Sequence, residues 1–159
     1  MTRYEQLVEV AIPCAHGHFD YFEKCQRVAF GIAGGYADFL GYPREQVVFV
    51  VLDQHLNRSD KTESFGLDVP MVFGDDGLWY FCFRIKYQKA KDSAYMCEYI
   101  KLGLKLNGTV VTVRGDNTAE IDTASPNNVE EFFQHLFADS LERFQSVPFQ
   151  PSKRIGFLR

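Results

Sequence analysis

The 159-residue sequence lacks most features that would place it in a specialised class of protein. Its four cysteines form no C-x-x-C pair, so their spacing indicates neither a disulfide framework nor a zinc ribbon. The longest purely apolar run covers residues 47–52, far short of the roughly 18 residues that a membrane span needs. Arg3, Glu5 and Glu9 interrupt the stretch where the apolar core of a signal peptide would lie. We therefore expect a cytoplasmic protein with reduced thiols that does not bind membranes.

Sequence motifs of catalysis are also missing. There is no G-x-S-x-G nucleophile elbow, and no cysteine lies in a familiar catalytic context. The glycines at positions 31, 34 and 35 do not follow a predicted strand and lack the lysine of a phosphate-binding loop. The sequence thus favours a non-enzymatic binding protein without a cofactor over an enzyme.

One short segment, Cys14-Ala-His16-Gly-His18-Phe-Asp20, concentrates residue types that bind metals. Cysteine and histidine suit zinc, and the alternation would direct Cys14, His16 and His18 to one side of a strand. A structural zinc site needs a fourth ligand, which the surrounding sequence does not supply. We expect no bound metal, and name these three residues as the candidates if one is found.

The residues that are present indicate one α+β domain over residues 1–147. Alternation over residues 4–12 suggests a strand, with a short helix as the alternative. Asp20 and Glu23 have the spacing of a capping box, and apolar residues then recur at helical steps until Gly41. A second long helix begins at Ser125-Pro126 or at Asn128, and its apolar stripe is wide enough to cross a sheet.

Between these helices the sequence predicts an antiparallel meander. Residues 47–52 suit a central strand, whereas residues 53–66 are polar and resemble a loop. Asn107-Gly108 is the strongest signal for a two-residue hairpin turn. That turn would pair Leu104 with Val111 on the buried face and Lys101 with Arg114 on the opposite face.

The predicted fold is therefore a twisted antiparallel sheet of about six to seven strands, with two long helices packed on one face and the C-terminal helix across the meander. If the sheet curls strongly, this order of elements resembles the helix-grip proteins of the START type. That resemblance would imply a cavity under the last helix for a small hydrophobic or aromatic ligand, or for the substrate of a small enzyme. Residues 148–159 contain two prolines and three cations, and we predict a basic arm that could dock on a neighbouring subunit of a homo-oligomer.

Charge is unevenly distributed along the chain. Residues 84–114 carry seven cations and two acids, whereas residues 116–142 carry seven acids and no lysine or arginine. The cations fall with tyrosines on the face of the sheet opposite the helices, which predicts a binding site for an acidic protein or a small anion. The net charge of −4 disfavours nucleic acid. The predicted site residues are Tyr80, Arg84, Lys86, Tyr99, Lys101, Lys105 and Arg114.

Overall fold

In the computed structural model, which describes residues 1–146 and the backbone of residues 155–158, the chain begins with one long helix. This helix, α1, spans Arg3–Leu40. Thr2 and Glu5 form a capping box, in which the Glu5 amide donates to Thr2 Oγ1 at 3.1 Å and the Thr2 amide donates to Glu5 Oε2 at 2.6 Å. Gly41, with a φ of 72°, ends the helix at the predicted position because glycine adopts this left-handed conformation without strain.

The first half of α1 corrects two sequence predictions. The strand over residues 4–12 is wrong, and so is the helix start at Asp20, because α1 continues through both. The apolar residues at positions 4, 8 and 12 recur at a helical spacing that competes with the alternation of a strand. The capping box at Thr2 and Glu5 starts the helix before the one predicted at Asp20 could act.

The described strands form one eight-stranded antiparallel sheet, which confirms the α+β fold class. Six of them follow the order β2-β1-β4-β5-β6-β7, while β3 pairs with β4 and β8 pairs with β5. The strands are β1 (Val48–Leu52), β2 (Arg58–Ser64), β3 (Val72–Phe73), β4 (Trp79–Gln88), β5 (Tyr95–Asn107), β6 (Val110–Arg114), β7 (Thr118–Asp122) and β8 (Ile155–Leu158).

Strand β2 lies where the sequence suggested a loop. All seven of its residues are polar, so its sequence contains no alternation of apolar and polar side chains. The strand forms because its backbone pairs with β1 at the outer edge of the sheet, where side chains remain in water. Backbone pairing of this kind leaves no signal in the side-chain pattern.

The hairpin between β5 and β6 exists, but each residue of β5 pairs with a residue of β6 two positions later than predicted. Asn107 pairs with Val110, and Leu104 pairs with Val113 instead of Val111. Asn107 does not adopt the positive φ that a type I′ turn requires, whereas Gly108 does, with a φ of 62°. Because side chains alternate between the two faces of a strand, a shift of two residues leaves each residue on its predicted face.

This register also changes the predicted contact between two cations. Arg114 lies opposite Gly103, so Lys101 and Arg114 are not directly paired. The prediction that these like charges face each other across the hairpin is therefore wrong. Lys101 and Lys105 nevertheless remain exposed, away from the helices.

Both helices pack on one face of the sheet, as predicted. The second helix, α2, spans Pro126–Ser146, which confirms the start at Ser125-Pro126. Tyr36 of α1 and Phe133 of α2 have ring centroids 5.9 Å apart, and Tyr36 also contacts Phe83 of β4. These aromatic rings fill the space between helices and sheet.

The opposite face of the sheet carries a second, smaller core and is less polar than predicted. Tyr80 and Cys82 are buried there with Val50 and Leu52 of β1. Leu56, in the turn between β1 and β2, packs onto this cluster. The turn therefore covers part of the face that the strand pattern alone would leave in water.

Strand β8 pairs with Tyr95–Glu98 of its own chain. The predicted boundary between residues 147 and 148 lies outside the described residues, as do residues 148–154. Docking of the arm on a neighbouring subunit stays a prediction.

Candidate functional site

A groove of about 700 Å³ lies beside the middle of β5, and we refer to it as the β5 groove. Its walls are the segment at residues 56–60, strands β4 and β5, the turn at residues 114–116 and the C-terminal half of α2. The volume is in the range of small-molecule sites, which are typically about 300–1,000 Å³.

The β5 groove collects four of the seven predicted site residues and leaves out three. Tyr80, Tyr99, Lys101 and Arg114 line it, whereas Arg84, Lys86 and Lys105 lie elsewhere on the sheet. Lys86 instead holds its ammonium group 4.1 Å from the centroid of the Tyr95 ring. Part of the predicted basic face therefore lies inside the groove, and the rest lies on the open surface of the sheet.

The turn between β1 and β2 positions two cations of the groove. Asp53 Oδ1 accepts hydrogen bonds from the amides of His55 and Asn57, at 2.8 and 2.9 Å, and so fixes the turn. Lys101 Nζ donates to the carbonyl oxygen of Leu56 at 3.1 Å. The Arg58 guanidinium lies 3.8 Å from the centroid of the Tyr99 ring, a distance typical of a cation–π contact.

A second cluster joins Arg114 to Tyr80 through Asp76. The Tyr80 hydroxyl donates to Asp76 Oδ2 at 2.5 Å, and Arg114 Nη1 approaches the same oxygen at 3.1 Å. Burial, together with the carboxylate of Asp76, raises the pKa of Tyr80 to about 12. The hydrogen bond from Tyr80 lowers the pKa of Asp76, and Arg114 adds to this effect. Asp76 therefore remains ionised and orients both neighbours.

Sequence reasoning missed a buried carboxylate that contacts the α2 side of the groove. Glu98 is only 1% exposed and accepts hydrogen bonds from Tyr87 Oη at 2.9 Å, Ser140 Oγ at 2.7 Å and Arg143 Nη2 at 2.5 Å. Arg143 Nη1 also lies 3.7 Å from Asp116 Oδ2. Burial, followed by the charge of Glu98, raises the pKa of Tyr87. These contacts hold Arg143 at the wall of the groove.

The sequence did contain a signal for this network. Glu98 falls in phase with Ile100 and Leu102, which face the helices, so the strand pattern places a carboxylate in the core. Ser140 lies four residues from both Leu136 and Phe144, on the apolar side of α2. Glu98 and Ser140 each interrupt an apolar face, and buried polar groups are generally hydrogen-bonded. This pattern predicts a buried hydrogen bond between them.

The charges that line the groove nearly balance. Four cations, Arg58, Lys101, Arg114 and Arg143, are accompanied by three acids, Asp60, Asp116 and Asp139. Arg114 and Arg143 each form an ion pair. Lys101 differs, because its hydrogen bond is to a neutral carbonyl and no described carboxylate lies within ion-pair distance of it.

The groove also contains unpaired strand edge. On the side away from β4, strand β5 pairs with β8 over residues 95–98 and with β6 over residues 103–107. Residues 99–102 have no strand partner on that side among the described residues, and all four line the groove. Edge strands present backbone N–H and C=O groups sideways, so these residues add hydrogen-bonding groups to the side chains.

The candidate metal ligands Cys14, His16 and His18 lie in α1 rather than on a strand. Cys14 and His18 are one helical turn apart, while His16 points away from both, since successive residues turn by about 100°. All three are exposed, and no group of three or more metal-ligating residues occurs in the part of the chain that the structure describes. The alternation that would have aligned them depended on a strand that does not form.

Comparison of the chain with protein-family models, with curated proteins and with solved structures found no match. Neither of the described helices has the length and apolar character needed to cross a membrane.

Proposed function

We propose that the protein is a binding protein whose β5 groove takes a small organic anion bearing a carboxylate or phosphate group. The observation that carries this proposal is the position of Lys101. Its ammonium group lies in the groove, bonded to a neutral carbonyl, with Arg58 and Arg114 also in the lining. A negatively charged oxygen would give Lys101 the ion pair that the described residues do not supply.

The other lining residues support a ligand that is anionic at one end and apolar along its body. Tyr99, Ile100 and Leu102 offer apolar contact beside the cations. Ligand sites commonly combine such surfaces with a few polar groups that fix orientation. The unpaired edge at residues 99–102 contributes backbone donors that suit carboxylate or phosphate oxygens.

The packed interior does not favour the alternative of a cavity under the last helix. Rings of Tyr36, Phe39 and Phe133 lie within contact distance of one another where that cavity would be. The β5 groove touches only the C-terminal half of α2, through residues such as Ser140 and Arg143. A purely hydrophobic ligand would also offer no anionic partner to the ammonium group of Lys101.

Two matched substitutions on β5 test the proposal. Lys101→Gln removes a charge inside the groove, whereas Lys105→Gln removes one from the same strand outside it. The probes are inorganic phosphate, citrate and an acetylated octaglutamate peptide, followed by isothermal titration calorimetry and by amide shifts in NMR spectra. We expect Lys101→Gln to weaken citrate binding about tenfold, as loss of one charged hydrogen bond implies, and Lys105→Gln to leave it unchanged.

Each other outcome has a clear meaning. Tighter binding of the octaglutamate peptide than of citrate would contradict a small ligand and identify an acidic protein as the partner. Equal losses in both variants would show a diffuse surface charge effect rather than a site. Amide shifts confined to residues remote from the groove would contradict the proposal for every probe.

A further inference from the structure

The first 20 residues lie away from the rest of the protein. Every one of them is exposed, although residues 3–20 are helical. Contact with the sheet begins at Tyr21, whose hydroxyl accepts a hydrogen bond from the Leu106 amide at 2.9 Å. Phe22 follows, with its ring centroid 4.8 Å from that of Trp79. At 1.5 Å per residue the projecting part is roughly 27 Å long.

The projecting helix has one apolar side. At 100° per residue, seven of its apolar positions fall within an arc of about 100°, while Leu7 lies at the border of this arc and Val10 lies on the opposite side. The same side of α1 becomes part of the buried side once the helix reaches the sheet, at Ala29, Ala33 and Ala37. We refer to the exposed part as the N-terminal stripe; its members are Met1, Tyr4, Val8, Ala11, Ile12, Ala15 and Phe19.

Such a helix is poorly stable by itself. Isolated helices shorter than about 12–15 residues are marginal in water, and longer ones need favourable composition. This helix contains Pro13, which has no amide hydrogen. It also contains Gly17, where an added Cβ atom would meet nothing within 4 Å, so packing does not require glycine at this position. A covered stripe would supply the stability that the composition does not.

We infer that the N-terminal stripe is the interface of a homodimer, in which two α1 helices pair in antiparallel orientation. The spacing of the stripe is symmetric about the midpoint between Ala11 and Ile12. An antiparallel copy would place Tyr4 beside Phe19, Val8 beside Ala15, and Ala11 beside Ile12. Large residues then meet at both ends and smaller ones near the middle, which allows the helices to approach closely.

The exposed area is sufficient for a stable pair. Six large apolar side chains on or beside the stripe, counting Leu7 at its border, are 37–77% exposed. They present on the order of 700 Å² per chain, because a large apolar side chain carries roughly 150–200 Å². Full coverage of these side chains in both copies would bury at most about 1,400 Å², which reaches the lower part of the roughly 1,200–2,000 Å² of stable protein interfaces.

The charges beside the stripe fit a second copy better than an anionic membrane. Glu5, Glu9 and His16 lie along one flank of the stripe. In an antiparallel pair each flank meets the same flank of the other helix, so Glu5 and Glu9 bracket His16 of the partner subunit. An imidazole N–H can donate to either carboxylate. Helices that bind anionic membranes carry lysine and arginine on this border instead.

Sedimentation equilibrium with two matched valine variants tests the dimer. Val8 lies on the stripe, whereas Val10 is 70% exposed on the other side of the same helix. We expect the full chain to sediment at twice its 18.3 kDa mass, and Val8→Glu to raise the dimer dissociation constant at least 30-fold. Val10→Glu should leave it unchanged. Both variants should fold, because residues 1–20 contribute nothing to the core. Circular dichroism checks this.

Disulfide trapping tests the orientation in a Cys14→Ser background. The double variant Val8→Cys, Ala15→Cys should form linked dimers under mild oxidation, while neither single variant should. Linked dimers from Val8→Cys alone would show a parallel pair and overturn the antiparallel arrangement. A monomeric full chain at 100 µM would overturn the dimer itself, and flotation of that monomer with phosphatidylcholine vesicles would identify a lipid surface as the occupant.

Discussion

At the scale of single residues, the absence of a side chain at Gly103 shapes the wall of the groove. Gly103 lies opposite Tyr80 in the pairing of β5 with β4. A Cβ atom at position 103 would lie 2.7 Å from two carbons of the Tyr80 ring. The glycine therefore lets the ring lie against the backbone of β5, where its hydroxyl reaches Asp76. This close approach, rather than any special backbone angle, explains the glycine.

Replacing Gly103 should destabilise the protein because the added side chain would crowd Tyr80. Gly17, which has open space around it, provides the control. We expect Gly103→Ala to lower the free energy of unfolding by about 1–3 kcal/mol, as overpacking in well-filled sites does. Gly17→Ala meets nothing within 4 Å and should instead stabilise α1 slightly, because alanine favours helix. Urea denaturation measures both. Equal stability of Gly103→Ala and the unchanged protein would show that Tyr80 moves aside without loss.

At the scale of elements, the buried carboxylate of Glu98 ties α2 to β5. Its three hydrogen-bond donors come from β4 and from α2, so the network joins the sheet to the last helix. An ionised group in an apolar interior is tolerated only when it is paired and fully hydrogen-bonded. The position of α2, and with it one wall of the groove, depends on this arrangement.

Removing Arg143 alone should therefore lower the free energy of unfolding more than removing the charges of both Arg143 and Glu98. We expect Arg143→Met to lower the free energy of unfolding by about 2–4 kcal/mol, because Glu98 remains buried without its counter-ion. Glu98→Gln in the Arg143→Met background should recover part of this loss. Urea denaturation of the two single variants and the double variant measures the coupling. Strictly additive losses would mean that the pair contributes no interaction energy.

The elements also show which parts of the fold are accessible from sequence. The end of α1 at Gly41 agrees with the sequence prediction, and the start of α2 at Pro126 is one of the two starts that the sequence allows. The start of α1 was misplaced because the capping pair at Asp20 and Glu23 matched the same pattern as the true pair at its N-terminus. Local patterns identify possible caps, but tertiary context selects among them.

The candidate site was less predictable than the fold. Strand alternation placed Lys101 correctly on the face opposite the helices, and this much follows from sequence. The walls of the groove come from segments distant in sequence, such as Leu56 in the turn after β1 and Arg143 in α2. The pattern of one strand carries no information about which turn folds over it. Arg84 and Lys86 were therefore assigned to the site with the same reasoning as Lys101, although they lie outside the groove.

At the scale of the whole molecule, the described residues form a packed body, residues 21–146 with strand β8, and the projecting helix. None of the first 20 residues is buried, so the body keeps its core without them. The described core residues all follow residue 24. The monomeric body should therefore fold without the projecting helix, whereas the mass of the assembly, and the stability that dimerisation adds, should depend on that helix.

A shortened chain that begins at residue 21 separates these two roles. We expect it to unfold in one cooperative transition, as a monomer, with a melting temperature that does not change with protein concentration. The full chain should show a melting temperature that rises with concentration, because dimerisation stabilises the folded state by mass action. The far-UV circular dichroism of the shortened chain should lose the signal of the 18 α1 residues that precede position 21. Differential scanning calorimetry over a hundredfold range of concentration makes the comparison. A shortened chain that fails to unfold cooperatively would show that the projecting helix supports the body directly, through contacts different from the exposed arrangement described above.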